Sequence, residues 1–555
     1  MPTRDAMWEA LGGQVDVLVV GGGITGTGIA RDAVMRGLSV ALVEQSDFAF
    51  GTSSRSSKLV HGGLRYLEQY EFSLVFEAVS ERRILLDIAP HLVNPLGFLF
   101  PVYKTSRTPL WMVKSGMWLY EGLSLFRSPK RHRSLSPAEI AKEEPAMSLE
   151  GMTGAPLYYD CSTDDARLTL ENALDAAKRG ATVCSWTRCR SFLKNEMGRL
   201  EGAVVENVLT GELKEVRAHA VINATGPWTD RTVAMSKPLD GALLRPTKGV
   251  HIVVDAAKLP VNNAIVCFHP TDGRVLFAIP RGEQTYVGTT DTDFDGDPAE
   301  VSATLEDVDY LLAAAGHYFP KHPLTHADVI ATWAGLRPLM APQSAGGEID
   351  ESAVSREHQI IVGQDGLITI AGGKLTTYRR MSAEVVETAT KLLRLTNNLP
   401  TLRAAHTESE PLPGAVGWPE DDDHEAVANQ VKGAGGGHVE LPTARYLANT
   451  YGMRGIDIAR RVAKDSSLGA LLVPGRPEIL AQVGWAVQEE MAASVADFMV
   501  RRTQLYYRDA DQGLGCAEVV AKAMQAALKW TDEQRDASLQ AYRDEVARSR
   551  QWRPC

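Results

Sequence analysis

Hydrophobic residues near the start of the chain follow the pattern of a strand, a helix and a second strand. Residues 16–20 (DVLVV) form a short apolar run that ends at three glycines, which is typical of a buried strand. Residues 24–36 are rich in Ala, Ile and Val and end at a glycine, a natural stop for a helix. Residues 39–43 (SVALV) repeat the strand pattern. The sequence therefore predicts a βαβ unit over residues 16–44.

Helical and strand patterns continue to about residue 395, where the character of the chain changes. Helices are expected at 72–89, 110–126, 164–178 and 378–393, and strands at 182–185, 200–208, 219–224 and 368–371. Between 245 and 295, strand-like runs joined by turn residues indicate an antiparallel sheet. A linker rich in Pro and Gly follows, and the rest of the chain has a helical pattern. We therefore expect a domain boundary near residues 400–410.

Composition narrows the class of protein. The 555 residues are 44% hydrophobic and 23% charged, which excludes a wholly disordered chain. A net charge of −11 argues against a uniformly basic nucleic-acid binder. The six cysteines are scattered without any C-x-x-C pair, so neither a metal site nor a disulfide scaffold is expected. The start of the chain lacks the apolar core of a secretory signal, and no 18-residue apolar run predicts a membrane-spanning helix.

The glycines after the first strand form a dinucleotide-binding pattern. Gly21, Gly23 and Gly26 satisfy G-x-G-x-x-G between a strand and a helix. The first permits the tight turn, the second lets a pyrophosphate approach the backbone, and the third lets helix and strand pack closely. Glu44 follows the second strand, 18 residues after Gly26, where it is expected to accept hydrogen bonds from a ribose diol. The pattern alone does not distinguish an NAD-binding site from an FAD-binding site.

Further segments carry a resemblance to a known family. They are GGGITGTGIARDA (21–33), TSSRSSKLVHGGLRYL (52–67), NATGPW (223–228), AGLRPL (334–339) and AGGKLTTY (371–378). In this order they resemble the FAD-dependent glycerol-3-phosphate dehydrogenases over about residues 14–395. The segment WAVQEEMAASVADFMVRRTQL (485–505) is similar to the C-terminal domain of that family.

The resemblance implies an α/β fold built around FAD. An FAD-binding Rossmann-type domain is expected within residues 14–400, and a mainly antiparallel substrate-binding sheet is expected as insertions at roughly 90–160 and 230–345. Residues 401–555 are expected to form a C-terminal α-helical domain. The implied reaction is oxidation of sn-glycerol 3-phosphate to dihydroxyacetone phosphate by hydride transfer from C2 to FAD, with electrons passed to a membrane quinone.

The same resemblance assigns the expected site residues. The cofactor set is Gly21, Gly23, Gly26, Glu44, Thr52, Ser53, Ser54, Ser57, Gly226 and Gly373, and the substrate set is Arg65, Tyr66, His251, Arg337, Lys374 and Thr376. Arginine suits a phosphate because its planar fork donates two hydrogen bonds at once. Loss of the hydroxyl proton calls for a base, and histidine is the usual choice. We expect His61 and Arg337 to be catalytic, with His61 favoured as the base and His251 as the alternative.

A basic and aromatic segment suggests contact with a membrane. Residues 104–133 contain seven Lys and Arg but one acidic residue, and Trp, Tyr and Leu lie between the cations. This pattern is typical of a helix in a bilayer interface near anionic lipids. A core helix with a solvated basic flank would give a similar pattern. We expect peripheral association with the inner face of the cell membrane from the cytoplasm, and no nucleic-acid partner.

Three other functions remain open at this point. A glycerol-3-phosphate oxidase would pass the electrons to oxygen and make hydrogen peroxide. An amine or amino-acid oxidase could have the same fold, although the set of cations Arg65, Arg337 and Lys374 better suits a phosphorylated substrate, which needs more than one. A non-catalytic scaffold would keep the fold, but substrate would not bleach its bound flavin. A homodimer through the helical tail is expected by analogy with the family only.

Overall fold

The computed structural model describes residues 2–63, 71–123, 129–239, 241–341, 358–396 and 398–554. Its strands are β1 (Gln14–Val20), β2 (Val40–Val43), β3 (Leu59–Val60), β4 (Asn94–Leu99), β5 (Val102–Tyr103), β6 (Arg133–Leu135), β7 (Met152–Ser162), β8 (Thr182–Cys184), β9 (Thr187–Lys194), β10 (Leu200–Asn207), β11 (Leu213–Asn223), β12 (Leu244–Asp255), β13 (Ala264–Phe268), β14 (Val275–Arg281), β15 (Gln284–Gly288), β16 (Thr292–Asp293), β17 (Val329–Met340), β18 (Gln359–Val362) and β19 (Ile368–Ala371). They form two sheets.

The first sheet is mostly parallel and contains the βαβ unit that the sequence predicts. Its order is β18-β19-β11-β1-β2-β8, and β9 and β10 add an antiparallel hairpin beside β11. Strands β19, β11, β1, β2 and β8 all run parallel. The chain leaves β1 toward β2 on one side and returns to β11 on the other. This reversal of strand order creates a crevice at the carboxyl ends of β1 and β11, the usual ligand site of such sheets.

Three helices cover this sheet on the face beside the glycine turn. The helix Ile24–Met35 packs between the helices Asp165–Lys178 and Tyr378–Leu395. Val17, Val19 and Leu42 of the central strands are fully buried in the common core. Strands buried on both faces are expected to be continuous apolar runs, which is why residues 16–20 gave so clear a strand pattern.

The second sheet is largely antiparallel and is assembled from two separate parts of the chain. Its order is β16-β12-β15-β14-β13-β4-β7-β3, with β17 paired to β12 and β5 and β6 paired to β7. Val250, Ile252 and Val254 of β12 face a core shared with the helix Leu305–Tyr318. His251 and Val253 alternate with them and therefore point to the opposite face, where the C-terminal helices pack. The division into domains at about residue 400 stays a prediction.

Helices dominate the remainder of the described chain. Besides those above, they are Arg4–Ala10, Phe72–Ile88, Leu110–Leu123, Pro137–Glu143, Thr229–Ala234, His424–Ala434, Leu441–Tyr451, Gly455–Lys464, Ala481–Glu490, Leu505–Arg508, Leu514–Leu528 and Asp532–Ser549, with a π-helical turn at Asp497–Arg502. After β19, the described residues hold only one isolated bridge of strand type, between Leu471 and Ile479. None of the described helices is both long and apolar enough to cross a bilayer.

Candidate active site

The glycine turn after β1 is shaped by close backbone contacts. Gly21 has φ +113°, and a Cβ built there would lie 2.5 Å from the carbonyl oxygen of Ala224 at the end of β11. A Cβ on Gly26 would lie 1.9 Å from the carbonyl oxygen of Gly21. Real side chains cannot approach so closely, so both positions require glycine. The first turn of the helix Ile24–Met35 is thereby held directly against the end of β1.

The loop after β2, residues 44–54, closes over this turn. The Glu44 carboxylate accepts hydrogen bonds from the backbone N–H of Gly22 at 2.7 Å and of Ser46 at 2.9 Å. Ser53 Oγ accepts from the backbone N–H of Ile24 at 2.9 Å. Burial raises the pKa of Glu44, while the two backbone donors favour its charged form. Glu44 therefore orders the glycine turn itself, and each of its oxygens keeps a lone pair for a ligand hydroxyl.

A cavity of about 580 Å³ runs along the carboxyl ends of the parallel strands. Eight of the sequence-predicted residues line it: Gly21, Gly23, Glu44, Thr52, Ser53, Gly226, Gly373 and Lys374. Its volume lies within the range of roughly 300–1,000 Å³ typical of cofactor and ligand pockets. The glycine turns, the helix N-terminus and the acidic residue beside them suit a dinucleotide whose pyrophosphate lies against backbone N–H groups. The residues present therefore fit FAD.

The cavity also has walls that the sequence analysis missed. Thr187, Arg188 and Cys189 of β9 and Arg231 and Thr232 of the helix Thr229–Ala234 line it as well. No motif marks them in the sequence. They reach the cavity because β8 pairs with β2 and because the helix Thr229–Ala234 follows β11 directly. Only the strand order could have identified them.

His61 lies beyond the end of β3 and is tied to the segment that follows β19. Its backbone N–H donates to Thr376 Oγ1 at 3.2 Å, and the Thr376 hydroxyl donates back to the His61 carbonyl oxygen at 3.2 Å. The next residue, Gly62, is buried, and a Cβ there would lie 2.0 Å from Tyr120 Oη. Among the described residues, this glycine makes room for the side chain of Tyr120.

His251 is buried on β12 and faces the loop that carries the serines. Its Nε2 lies 2.9 Å from Ser57 Oγ, and its ring stacks on Trp333 at 4.6 Å between centroids. Burial, with the nearby cations Arg337 and Lys58, holds the pKa of His251 well below its ordinary value. The imidazole is therefore neutral near pH 7, and it contacts Ser57 rather than forming part of the cavity wall.

The neutral His251 predicts a pH-dependent contribution to stability. Below its ordinary pKa of about 6.5 the unfolded chain binds a proton that the folded chain does not, so the free energy of unfolding falls as pH falls. This loss can reach about 1.4 kcal/mol per pH unit. Urea unfolding of the FAD-saturated protein, from about pH 7.5 to about pH 5.5, is expected to show a smaller loss for His251→Gln.

The exposed His317 provides the control for this experiment. His317→Gln should leave the pH dependence of the wild-type protein unchanged. Parallel pH curves for the wild type and His251→Gln would contradict a neutral His251.

Arg337 of β17 is held by several acceptors at once. Its Nη1 donates to Asp291 Oδ1 at 2.9 Å, and its Nη2 donates to Thr289 Oγ1 and to the Thr290 carbonyl oxygen at 3.2 Å each. These contacts fix the plane of the guanidinium group, and Asp291 offsets part of its charge. Two other expected substrate residues, Arg65 and Tyr66, lie outside the described residues.

The predicted site residues thus form two neighbouring groups. Lys374 lines the cavity, and Thr376, two residues later, binds the backbone of His61. His251, Ser57 and Arg337 form the second group on and beside the antiparallel sheet. Gly26, Ser54 and Ser57 are not part of the cavity lining. Gly26 instead supports the turn, and Ser54 is buried.

Comparison with known proteins agrees with the FAD site that the geometry indicates. Residues 16–379 match the family described as FAD dependent oxidoreductase, and residues 405–535 match the C-terminal domain of alpha-glycerophosphate oxidase. The aerobic glycerol-3-phosphate dehydrogenase of Staphylococcus epidermidis RP62A is 37% identical over 533 residues, which is 96% of this chain and 94% of that protein. The chain belongs to the FAD-dependent glycerol-3-phosphate dehydrogenase family. Its counterpart in Staphylococcus aureus USA300 is also 37% identical, over 96% of this chain and 94% of its own length.

Solved structures agree with this family. The glycerol-3-phosphate dehydrogenase of Bacillus halodurans complexed with FAD is 32% identical, with a TM-score of 0.81 over 100% of this chain and 98% of that one. The L-alpha-glycerophosphate oxidase of Mycoplasma pneumoniae, 19% identical with a TM-score of 0.54 over 72% of this chain and 99% of that one, shares the fold. The predicted family, fold class and FAD cofactor are confirmed. The roles of individual residues stay predictions.

Proposed function

We propose that this protein oxidises sn-glycerol 3-phosphate to dihydroxyacetone phosphate, with bound FAD as the acceptor of the hydride from C2. The observation that carries the proposal is the position of Lys374. This cation lines the same cavity as the glycine turns, and its neighbour Thr376 binds the backbone of His61. The backbone of a candidate proton-transfer residue is therefore tied to the segment that supplies a cation to the cavity wall. The names of the similar proteins point to the same substrate.

The charges of Lys374 and Arg337 suit a phosphate monoester. Lys374 supplies a compact point charge, whereas Arg337 supplies a planar donor fixed by Asp291 and Thr289. A prearranged cation loses little side-chain entropy when the substrate binds. We assign Arg65 and Tyr66 to the same role on the family resemblance. His61 is assigned as the base that removes the hydroxyl proton, and His251 as a neutral hydrogen-bonding partner of the substrate.

Anaerobic spectroscopy tests the reaction. The yellow holoenzyme is mixed with sn-glycerol 3-phosphate without oxygen, and the loss of oxidised flavin absorbance is followed. We expect bleaching with glycerol 3-phosphate, and none with glycerol or with glycine as matched controls for the phosphate and for an amine substrate. Bleaching by glycine alone would overturn the assignment in favour of an amino-acid oxidase.

We also propose that a quinone receives the electrons. In the same experiment the reduced enzyme is mixed either with a soluble quinone analogue or with air. Rapid reoxidation by the quinone and slow reoxidation by air is the expected result. Fast, stoichiometric formation of hydrogen peroxide would instead favour the oxidase.

An exposed aromatic surface supports contact with a lipid bilayer, where such a quinone dissolves. We use this term for Phe72 and Phe76 of the helix Phe72–Ile88 together with Trp111, Met112, Trp118 and Leu119 of the helix Leu110–Leu123. The side chains of Trp111 and Trp118 are 66% and 62% exposed. Val113, Met117 and Tyr120 bury the opposite side of the same helix. Large apolar groups exposed together mark an interaction site.

The cations around the aromatic surface match an anionic membrane. Lys104, Arg107, Lys114, Lys130, Arg131 and Arg133 are exposed. Arg133 pairs with Glu143. Basic residues near an anionic leaflet each contribute about 1 kcal/mol to binding. We therefore propose that the protein associates peripherally with the inner face of the cell membrane, from the cytoplasm.

A homodimer formed through the helical tail is also proposed, by analogy with the family only.

Removal of the two exposed tryptophans is expected to weaken membrane binding. Trp111→Ser combined with Trp118→Ser should reduce cosedimentation with vesicles of anionic phospholipid by about tenfold or more, because each ring buries apolar area in the interface. Leu395, 83% exposed, is remote in sequence, and Leu395→Ser serves as the control that should bind as the wild type does. Substrate should still bleach all three proteins. Unchanged sedimentation of the double variant would contradict the proposal.

A further inference from the structure

One carboxylate of the loop that closes the cofactor cavity is bound by the C-terminal domain. Asp47 lies between Glu44 and Phe50 and is fully buried. Its Oδ2 accepts hydrogen bonds from Arg501 Nε at 2.6 Å and from Arg502 Nη1 at 2.7 Å, and its Oδ1 accepts from Arg502 Nη2 at 2.9 Å. These residues are more than 450 positions apart in the chain. Although burial opposes ionisation, Arg502 and Arg501 hold the pKa of Asp47 below its ordinary value.

A π-helical turn brings the two arginines together. Consecutive side chains of an α-helix diverge by about 100°, yet Arg501 and Arg502 reach the same carboxylate. They end the turn Asp497–Arg502, in which the Thr503 N–H donates to the Phe498 carbonyl oxygen at 3.0 Å. Such turns are rare and occur frequently at functional sites. This turn belongs to the segment 485–505, which carries part of the family resemblance and which the proposed oxidation does not otherwise use.

Both arginines also have hydrogen-bond acceptors other than Asp47. Arg501 Nη2 donates to Asp497 Oδ1 at 2.8 Å, and Arg502 Nη2 donates to the Glu490 carbonyl oxygen at 2.8 Å. The Glu490 carboxylate in turn accepts two hydrogen bonds from Arg167, at 2.7 and 2.9 Å. All five side chains are buried. Because both arginines have buried partners besides Asp47, the network holds Arg501 and Arg502 in one place.

Asp47 transmits this constraint to the glycine turn. On one side of it, Glu44 accepts the Gly22 N–H at 2.7 Å. On the other side, the Ala49 N–H donates to the Gly22 carbonyl oxygen at 3.1 Å. Phe48 packs so closely that a Cβ on Gly22 would lie 2.9 Å from its ring. A shift of Asp47 would therefore move three contacts of the turn that faces the cofactor pyrophosphate.

We propose that Arg501 and Arg502 are positioning residues for the cofactor, through which the C-terminal helical domain determines how tightly FAD is held. Neither arginine lines the cavity; each acts through Asp47 on the loop 44–54. The proposal rests on FAD binding alone and not on the identity of the substrate.

The rate of FAD release from the holoenzyme tests this proposal. Arg501→Gln and Arg502→Gln are compared with Arg508→Gln, because Arg508 lies in the same domain and pairs with the buried carboxylate of Glu478 at 2.7 Å. Each holoenzyme is diluted, and the rise in fluorescence of released flavin is followed. Thermal unfolding of each protein is measured in parallel. Substrate is absent, so failure of the proposed reaction would not affect the result.

We expect both Gln variants at the Asp47 site to release FAD roughly tenfold faster or more, because an uncompensated buried charge is strongly destabilising. Arg508→Gln should release FAD within about twofold of the wild type, even where its unfolding temperature falls equally. Arg501→Lys keeps the charge but cannot reach Asp47 and Asp497 together, so its release rate should be intermediate. The double variant with Asp47→Asn and Arg502→Gln should release FAD at nearly the same rate as Arg502→Gln alone, since both substitutions remove the contact between Asp47 and Arg502.

Two outcomes would overturn the proposal. The first is an equal rate of FAD release from Arg502→Gln and Arg508→Gln, which would mean that the network contributes to protein stability but does not position the cofactor. The second applies if the Gln variants do not fold: Arg501→Lys would then be compared with Arg508→Lys, and equal release rates would reject a positioning role.

Discussion

Replacement of Gly26 by alanine is expected to remove most of the bound FAD. The added Cβ would lie 1.9 Å from the Gly21 carbonyl oxygen, so the helix Ile24–Met35 must move away from the end of β1. Overpacking of this kind costs about 1–3 kcal/mol. The shift falls on the turn whose N–H groups face the pyrophosphate. We therefore expect FAD affinity to fall roughly tenfold or more, since each 1.4 kcal/mol is a factor of ten.

The flavin-to-protein absorbance ratio after purification, and a titration with added FAD, measure this effect. Gly316→Ala is the matched control, because Gly316 is also helical and a Cβ there meets no atom within 4 Å. That variant should bind FAD as the wild type does and be slightly more stable, since alanine favours a helix by about 0.5–1 kcal/mol. Full FAD occupancy in Gly26→Ala would contradict the close packing of the turn.

Substitution of His61 by glutamine is expected to slow flavin reduction by a factor of roughly 10²–10⁴, the usual contribution of a positioned general base. Glutamine cannot take up the hydroxyl proton of the substrate. The backbone contacts of His61 with Thr376 do not involve the imidazole, so the segment after β19 should stay in place. Substrate affinity is therefore expected to change much less than the rate.

Anaerobic stopped-flow measurement of flavin bleaching separates these quantities. The limiting rate of bleaching at saturating substrate should fall in His61→Gln, while the substrate concentration that gives half of this rate should change little. His251→Gln serves as the comparison and should weaken substrate binding more than it slows reduction. If His251→Gln instead lowers the limiting rate while His61→Gln retains it, the roles of the two histidines are exchanged.

Local sequence was sufficient for the βαβ unit and its glycine turn. The apolar strand 16–20, the glycines and the helix 24–36 are close in sequence, so their pattern reflects contacts made within one unit. The resemblance to the family then predicted the FAD cofactor and the fold class, both of which are confirmed. The same patterns placed the end of the helix Tyr378–Leu395 within a few residues and predicted antiparallel strands between 245 and 295, where β12, β14 and β15 lie.

Partners that lie far apart in the chain could not be predicted in this way. Sequence patterns did not indicate that Asp291 would pair with Arg337, or that Ser57 would meet His251 across 194 residues. The expected ribose acceptor, Glu44, binds the backbone of the glycine turn itself. Each of these contacts depends on how strands and loops from different parts of the chain are brought side by side.

The sequence by itself therefore determined the type of fold, the cofactor and the residue types available for chemistry. Tertiary structure decided which charged groups are paired, which histidine is buried and neutral, and how Arg501 and Arg502 reach Asp47. The physical reason is that strand and helix patterns arise from neighbouring residues, whereas hydrogen bonds and ion pairs between side chains depend on packing across the whole chain.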